Sequence, residues 1–432
     1  MKSEIQTKIG TKTEFYILSS KKIILHLTTV CINGWALGLF AIAQLFNLKF
    51  CFIFVNVCVL GQPLMQAGET LTEILNLSIL ISKSNFMKAL VYHGDHNIAL
   101  EEKAKPSIIK PSDVIVRVTK TTICGTDLGI YKGKNLYMQD GITLGHEGVG
   151  IIEEVGSSVS QFKVGDKVII SCISSCGSCE YCKKQLYSHC KDGGWILGHM
   201  IDGVQAEYVR IPHADNSLYK IPDTINDEVA VMISDILPTG HEIGVQYGNV
   251  KPGDAIAIVG AGPVGMSALL TAQFYSPAII IMIDLDDNRL EMAKELGATH
   301  VINSDSQNVL EELKKIVGED GVDVAIEAVG IPPTWNICQK IVKPGGNIAN
   351  VGVHGAKVDF EIQELWIKNL TITTGLVNTN TTPMLIKAVA TNKLPVKKLI
   401  THHYKLFEIE KAYDVFLNAS REKAMKIIID VE

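Results

Sequence analysis

Four closely spaced cysteines form the clearest candidate metal site in the sequence. Cys176, Cys179, Cys182 and Cys190 are separated by two, two and seven residues. Four thiolates at such spacings can close a tetrahedral site with no exchangeable position, which is typical of structural zinc. A disulfide pair or an iron–sulfur cluster is the competing interpretation, although the proline that follows the last cysteine in ferredoxin-like clusters is absent here.

Other metal-binding residue types are spread more widely along the chain. Cys124 lies in the sequence Ile-Cys-Gly-Thr-Asp, and His146 lies in Leu-Gly-His-Glu-Gly. A thiolate and an imidazole are good zinc ligands, and a catalytic zinc needs three protein ligands and one open position. Asp235 is the candidate for the third ligand. Taken singly, Cys124 could equally be a core thiol and His146 a hydrogen-bonded turn residue.

A glycine-rich loop is the third candidate site. Its residues are Gly260, Ala261, Gly262, Pro263, Val264 and Gly265. The loop follows the apolar run 255–259 and precedes the helix-like run 266–272. Glycines at these spacings allow a tight turn and a close approach of the backbone to a pyrophosphate, and the helix N-terminus supplies N–H groups and partial positive charge. The loop therefore predicts a dinucleotide site.

An acidic residue beyond the loop indicates which dinucleotide binds. A second apolar run, 278–283, ends in Asp284. An acid at this distance from the glycines accepts hydrogen bonds from the adenosine ribose, and it repels the 2′-phosphate of NADP. The sequence thus predicts NAD as the cofactor. The alternative is that Asp284 is a solvated residue at the end of a strand.

The elements around this loop alternate in the order that a doubly wound sheet needs. The predicted strands span 255–259, 278–283, 299–302, 322–326, 347–351 and 370–374. Residues 288–296 and 307–317 show the apolar spacing of helices that pack on one face. Six strands joined by crossovers make a parallel sheet that is buried on both faces and binds its ligand at the carboxyl ends of the strands.

The segment before the loop reads as a mostly β domain. Its predicted strands span 88–92, 113–118, 148–152 and 167–170, with glycines and prolines between them. Cys124 and His146 fall in its loops. The chain after residue 376 has helix-like segments at 383–394 and 409–417 and a closing strand at 425–431, without a motif.

Composition limits the class of partner. The 432 residues are 47% hydrophobic and 20% charged, which is ordinary for a globular protein of two or three domains. The net charge of −6 argues against nucleic acid, because no basic stripe is present to release counterions. Four of the ten cysteines have metal-ligand spacing, which favours a reducing compartment, and we expect a cytoplasmic protein.

The first 86 residues differ from the rest of the chain. No charged side chain occurs from Leu27 to Leu48, a length that could span a bilayer, and lysines precede this run. A membrane anchor or targeting segment is one interpretation, and a buried helix is another. The third is that the natural start is Met87 and that the sequence before it is translated in error. A membrane partner is expected only if the extension is real.

Together, the Cys124 and His146 loops, the four-cysteine set and the glycine loop make residues 87–432 resemble a zinc-dependent alcohol dehydrogenase of the medium-chain dehydrogenase/reductase family. The resemblance implies an α/β fold in which a Rossmann doubly wound parallel six-stranded sheet is inserted in a mostly β GroES-like catalytic domain. The implied division is an extension at 1–86, a catalytic domain at 87–238, an NAD-binding domain at 239–376 and a return to the catalytic domain at 377–432.

The resemblance also assigns roles at the catalytic metal. Asp235 stands at the position of the third ligand, as in the bacterial-type and secondary-alcohol branches, and Glu147 matches a carboxylate that can swing onto the metal. Thr126 matches the hydroxyl that takes the substrate proton. The family often continues with a proton-relay histidine where this chain has Gly129, so that the relay ends in water or passes to His199.

Further residues stand where the family lines its cofactor. These carried-over positions are Thr239, Arg289, Val329, Val351 and Val353. The implied cofactors are NAD and two zinc ions per chain, one catalytic and one structural, and the implied assembly is a homodimer or homotetramer.

The expected reaction is reversible oxidation of a small primary or secondary alcohol to an aldehyde or ketone. A polyol or L-threonine dehydrogenase on the same scaffold is the alternative, followed by a non-catalytic relative that binds NAD(P).

Overall fold

The computed structural model describes residues 85–134 and 138–432. The interpretations of residues 1–84 lie outside the described residues. Within these two ranges, no helix is both long enough and apolar enough to cross a membrane.

The strands follow one another along the described chain as β1 (Phe86–Tyr92), β2 (Ile98–Ala104), β3 (Val114–Thr122), β4 (Gly148–Val155), β5 (Lys167–Ile170), β6 (Tyr208–Ile211), β7 (Leu218–Lys220), β8 (Ala255–Val259), β9 (Ile279–Asp284), β10 (His300–Asn303), β11 (Val322–Glu327), β12 (Val342–Asn350), β13 (Thr371–Thr374), β14 (Ile400–Lys405) and β15 (Lys426–Asp430).

The α-helices follow in the same order as α1 (Gly125–Tyr131), α2 (Ala214–Ser217), α3 (Asp227–Val231), α4 (Ile236–Thr239), α5 (Pro263–Ala272), α6 (Asp287–Glu295), α7 (Val309–Val317), α8 (Pro332–Ile341), α9 (Ile362–Leu365), α10 (Thr382–Ala390), α11 (Ile409–Leu417) and α12 (Ala419–Glu422). A π-helix, Gly240–Gln246, continues directly from α4.

The central strands of the chain form the predicted parallel sheet. Its six strands lie in the order β10-β9-β8-β11-β12-β13, and all neighbouring pairs are parallel. The middle strands are almost entirely buried, because helices cover both faces of such a sheet. The strand order reverses beside β8, so that the crevice of a nucleotide-binding fold opens at its carboxyl end.

A second sheet carries the remaining chemistry. Its seven strands include the path β14-β15-β3-β4-β5-β7, and β6 pairs with β3. Most neighbours are antiparallel, and β1 and β2 form a separate hairpin. Strands β14 and β15 come from the end of the chain, so the parallel sheet is inserted between parts of this one. The predicted fold class is thereby confirmed.

Some elements differ from the sequence expectations for a physical reason. Helix α8 starts at Pro332 and Pro333, which resemble a break in the sequence but fit the first turn, where backbone N–H groups have no intrahelical partner. The segment after Cys124, expected to be a loop, is helix α1. Strand β12 begins at Val342 and passes through glycines before the predicted apolar run.

Candidate active site and metal centres

Three different elements position the candidate ligands of the catalytic metal. Cys124 is the N-cap residue of α1, immediately after β3. His146 lies in the buried turn that leads into β4, and Asp235 is the N-cap residue of α4. Residues at helix N-termini have fixed backbone positions while their side chains remain free of the helix, which suits them to hold a ligand.

The structure brings these side chains together. One ligand atom from each of Cys124, His146, Glu147 and Asp235 lies within 4.8 Å of all the others. Asp235 Oδ2 is 3.3 Å from His146 Nε2 and 4.0 Å from Cys124 Sγ. A thiolate, an imidazole and a carboxylate converging on one point form a donor set that suits zinc. A tetrahedral zinc held by these three would keep its fourth position for water or substrate.

The charges of the site also fit a bound cation. Burial alone would raise the pKa of Asp235, but hydrogen bonding to His146 and Thr239 lowers it to about 2. Burial opposes a charged His146, yet Asp127 and Asp235 together raise its pKa well above the usual value. Burial and Glu147 raise the pKa of the Cys124 thiol. Without metal, the imidazole therefore holds a proton between carboxylates, and a divalent ion would displace it.

Two buried contacts support the candidate ligands from outside. His146 Nδ1 lies 3.3 Å from Asp127 Oδ1, so that Nε2 faces Asp235 and Cys124. A carboxylate behind a histidine fixes the ring orientation of a metal ligand. Glu147 Oε2 lies 2.7 Å from the Nζ of Lys426, and both side chains are fully buried.

The other residues singled out near the metal have distinct positions. Thr126 lies in the first turn of α1 and is partly exposed, and a Cβ on Gly129 would meet no atom within 4 Å. His199 is buried and its ring stacks on Trp195, with 4.0 Å between centroids. Burial lowers the pKa of His199 to about 4. This stacking is a packing role, whereas Gly129 leaves room for solvent beside Thr126.

The four-cysteine lobe is also compact. The sulfurs of Cys176, Cys179, Cys182 and Cys190 all lie within 4.8 Å of one another, and the first three are carried by tight turns and a short 3-10 helix. Burial and the neighbouring Cys179 thiol raise the pKa of Cys182 to about 12. A bound metal would lower the pKa of this thiol again, because it stabilises the thiolate form.

The glycine loop has the geometry expected for a dinucleotide. Gly260 has a φ of 109°, which side chains rarely allow, and a Cβ on Gly265 would overlap the carbonyl oxygen of Gly260. Pro263 is the first residue of α5 and Val264 the second. Asp284 ends β9, and its Oδ2 accepts the Ala261 N–H at 2.6 Å, which ties this acid to the loop.

The carried-over cofactor positions lie at the same end of the sheet. Val329 follows β11, whereas Val351 and Val353 follow β12. A Cβ on Gly262 would lie 4.0 Å from the guanidinium of Arg289, so this arginine reaches the glycine loop. Thr239 donates its hydroxyl to Asp235 Oδ1 at 2.7 Å and therefore joins the metal centre to the crevice.

Several residues at the site escaped the sequence analysis. Lys426 pairs with Glu147 from a position 279 residues away, and no local pattern indicates such a partner. Cys172 is buried and lies outside both candidate metal sets, yet its Sγ lies 3.4 Å from Asp235 Oδ1. Burial and Asp235 raise the pKa of Cys172 well above its usual value, so it stays a neutral thiol.

Comparisons with known proteins identify relatives of most of the described chain. The profile of the alcohol dehydrogenase GroES-like domain matches residues 110–223, and that of zinc-binding dehydrogenases matches residues 263–391. An alcohol dehydrogenase of Cupriavidus necator is 37% identical over 363 residues, which cover 79% of this chain and 98% of the relative.

Two further proteins extend this likeness. A sorbitol dehydrogenase of Bacillus subtilis is 34% identical over 347 residues, covering 79% of this chain and 97% of that protein. The solved structure of zinc dependent alcohol dehydrogenase 2 from Streptococcus pneumonia, in its apo form, is 56% identical with a TM-score of 0.77, and the match covers 80% of this chain and 99% of that one.

Proposed function

The chain belongs to the zinc-dependent alcohol dehydrogenases of the medium-chain dehydrogenase/reductase family, and we propose that it oxidises small primary or secondary alcohols reversibly with NAD. Membership makes it an oxidoreductase that uses zinc and a nicotinamide cofactor on alcohol or carbonyl substrates. The observation that carries the finer proposal is the convergence of Cys124, His146 and Asp235. Cys172, which contacts Asp235, packs in one apolar cluster with Val351 at the carboxyl end of β12.

We assign two zinc ions to each chain. Cys124, His146 and Asp235 would hold the catalytic ion, whereas the four cysteines between 176 and 190 would hold a structural ion with no open position. A carboxylate in place of a second thiolate donates less charge, which leaves a stronger Lewis acid. When bound, zinc lowers the pKa of the alcohol oxygen and NAD accepts the hydride.

The protein side chains then handle the proton and the charge. Thr126, partly exposed and two residues after Cys124, accepts the proton from the alcohol oxygen, and solvent beside Gly129 receives it. Glu147 pairs with Lys426 while one of its oxygens lies within 4.8 Å of the other candidate ligand atoms, so its carboxylate could also bind the zinc ion during ligand exchange. His146 is kept with its proton on Nδ1 by Asp127, which leaves Nε2 free to bind.

The cofactor assignment follows from the crevice. Gly260, Gly262 and Gly265 with the N-terminus of α5 would bind the pyrophosphate, and Asp284 would accept hydrogen bonds from the adenosine ribose. Arg289 would lie beside the same ribose. The negative charge of Asp284 disfavours the 2′-phosphate of NADP.

A polyol substrate is the second candidate, because the sorbitol dehydrogenase of Bacillus subtilis aligns with this chain over 97% of its own length. The two candidates share the metal centre and the cofactor. They differ only in what the pocket accepts.

Rates with matched alcohols test both candidates. Full-length protein is incubated with NAD and either propan-2-ol, ethanol, sorbitol or L-threonine, and NADH is followed by absorbance before and after a zinc chelator is added. We expect the highest kcat/KM with propan-2-ol or ethanol and loss of activity with chelator. A preference for sorbitol supports the second candidate, and no turnover by a protein that binds NADH contradicts both.

We further propose that two copies associate through β13. This strand ends the parallel sheet, and its outer edge pairs with no strand in the part of the chain that the structure describes. Trp366 and Ile367, just before it, are 68% and 69% exposed. A second copy related by a two-fold axis would pair the two edges and cover these side chains.

A further inference from the structure

We propose that Tyr413 is a positioning residue of the catalytic metal centre, acting through Gln205 and Asp127 on His146. The proposal rests on the proposed function, because His146 needs a fixed orientation only if it binds a metal. It connects helix α11, near the end of the chain, to a ligand of the catalytic zinc.

The connection consists of consecutive buried hydrogen bonds. The Tyr413 hydroxyl donates to Gln205 Oε1 at 2.8 Å, and Gln205 Nε2 donates to Asp127 Oδ2 at 3.2 Å. Tyr413, Gln205 and Asp127 are each at most 1% exposed. With water excluded, each bond constrains the next, since an unpaired buried group costs far more than a bond gains.

Asp127 divides its two oxygens between different partners. Oδ2 accepts from Gln205 and also from the backbone N–H of Cys124 at 2.8 Å. Oδ1 forms no hydrogen bond to any of the described residues, and its contact with His146 Nδ1, at 3.3 Å, is an ion pair. Fixing Oδ2 therefore fixes the direction from which Oδ1 orients the histidine.

The hydroxyl of Tyr413 determines which end of the Gln205 amide faces Asp127. Gln205 Nε2 also donates to the carbonyl oxygen of Thr122 at 3.1 Å, so the amide nitrogen faces two acceptors. A reversed amide would place Oε1 against both acceptors. Burial raises the pKa of Tyr413 well above its usual value, so the hydroxyl stays protonated and donates.

Loss of this hydroxyl leaves Oε1 of Gln205 buried without a donor. The Gln205 amide can then regain a donor for Oε1 by shifting or reversing. Either movement releases Asp127 and in turn His146. Partners behind a metal-binding histidine typically contribute 10–100-fold to metal affinity. Because Tyr413 acts two bonds further out, we expect an effect of about ten-fold, at the lower end of that range.

Zinc competition measures this effect without relying on turnover. Full-length protein with both metal sites filled is titrated with a chelator, and the zinc bound per chain is measured for the wild type, Tyr413→Phe and Gln205→Leu. The four-cysteine site serves as an internal reference. Tyr404→Phe is the matched control, since Tyr404 is a partly buried tyrosine of β14 outside this connection.

We expect Tyr413→Phe to weaken the catalytic site about ten-fold, with the four-cysteine site and Tyr404→Phe unchanged. In the Gln205→Leu background, Tyr413→Phe should have no further effect on zinc affinity, because the connection is already broken. This double variant separates transmission from a general loss of packing.

Other outcomes overturn the inference. Unchanged affinity in Tyr413→Phe contradicts it, as does an equal additional loss in the Gln205→Leu background, which would show that Tyr413 acts by packing. A wild-type protein that binds zinc only at the four cysteines would instead overturn the proposed function.

Discussion

At the level of single residues, the metal centre depends on buried charges that neutralise one another. Glu147 and Lys426 are both fully buried, with 2.7 Å between Oε2 and Nζ. Removal of one partner of such a pair leaves an uncompensated charge and typically costs about 3–5 kcal/mol. The pair also joins β15 to the turn that carries His146, so the end of the chain stabilises the candidate ligands.

Replacement of Asp235 tests the third candidate ligand of the catalytic zinc. We expect Asp235→Ala to lose the catalytic zinc and to retain the zinc of the four cysteines. Turnover should fall by more than about 100-fold, since even outer partners of metal ligands contribute 10–100-fold. Zinc content per chain and NADH formation are the measurements.

Asp414→Ala, an exposed aspartate of α11, is the control and should retain both ions. If Asp235→Ala keeps both zinc ions and the wild-type rate, Asp235 does not belong to the ligand set.

At the level of elements, the turn between β8 and α5 depends on the end of the neighbouring strand. Asp284 Oδ2 accepts the Ala261 N–H at 2.6 Å, and Oδ1 accepts the N–H groups of Leu285 and Asp286. One carboxylate therefore holds the glycine loop in addition to its proposed role at the ribose.

These two roles of Asp284 can be separated by substitution. Asp284→Asn keeps an oxygen for the Ala261 N–H, loses the acceptor of the Leu285 and Asp286 N–H groups and removes the charge. The charge alone discriminates against the 2′-phosphate, so we expect the preference for NADH over NADPH to fall about ten-fold, which is 1.4 kcal/mol. Asp284→Ala also releases the loop and should weaken both cofactors. Dissociation constants from fluorescence titration of NADH and NADPH measure the effect.

Asp287→Asn removes an exposed charge in the first turn of α6 and is the matched control. An unchanged ratio of the two dissociation constants in Asp284→Asn would place the discrimination elsewhere.

The π-helix contains a buried histidine, His241. His241 is 1% exposed, lies beside the rings of Phe274 and Tyr275, and has neither nitrogen bonded among the described residues. The adjacent Glu242 carboxylate is directed instead to the backbone N–H groups of residues 378, 379 and 381. Burial lowers the pKa of His241 to about 4.

A lowered histidine pKa makes the folded state lose stability in acid. The unfolded chain takes up the proton near the usual histidine pKa of about 6.5, whereas the folded chain resists until about 4. The contribution of His241 to the free energy of unfolding is thus nearly constant above about pH 6.5 and falls as the pH drops further. The loss is about 2 kcal/mol between about pH 7 and about pH 5. His241→Phe should remove this part of the pH dependence.

Urea unfolding of wild type and His241→Phe at both pH values measures the difference. His403→Phe, which removes a half-exposed histidine of β14, is the control. Equal acid sensitivity of wild type and His241→Phe would contradict a titration at this position.

At the level of the whole molecule, the sequence predicted what short segments determine. The cysteine spacing, the glycine loop and the alternation of strands and helices are local patterns, and the fold class inferred from them is confirmed. Strands β7 and β14 have no clear alternation of buried and exposed residues, so only their pairing in the sheet identifies them. Helix α8 was not predicted, because two consecutive prolines occur both where a helix is interrupted and in the first turn of a helix, and the sequence alone does not distinguish the two cases.

The surroundings of the candidate ligands could not be predicted in this way. Lys426 and Tyr413 approach the metal centre from the last two dozen residues, and Gln205 comes from a different loop. Their roles depend on how β15 and α11 pack with the seven-stranded sheet, and the local sequence does not indicate these long-range contacts. The sequence indicates candidate metal ligands because zinc chemistry limits the residue types, whereas a buried lysine or tyrosine has no such signature.

The open edge of the parallel sheet leads to a prediction about assembly. One chain has a mass of 47.2 kDa, so a dimer has about 94 kDa by doubling. A two-fold axis beside β13 would bring Ile367, which is 69% exposed, close to the same surface of the second copy. A lysine at this position would place like charges face to face in an apolar contact, which opposes association.

Light scattering of the full-length protein after size exclusion measures the mass. We expect the wild type to associate and Ile367→Lys to halve in mass. Phe407→Lys, at a residue that is 76% exposed beside β14, should keep the wild-type mass, because it adds the same charge at a different surface. If the wild type is a monomer, or if Ile367→Lys and Phe407→Lys have the same mass, the β13 edge does not mediate association, and another surface must hold the copies together in any oligomer that remains.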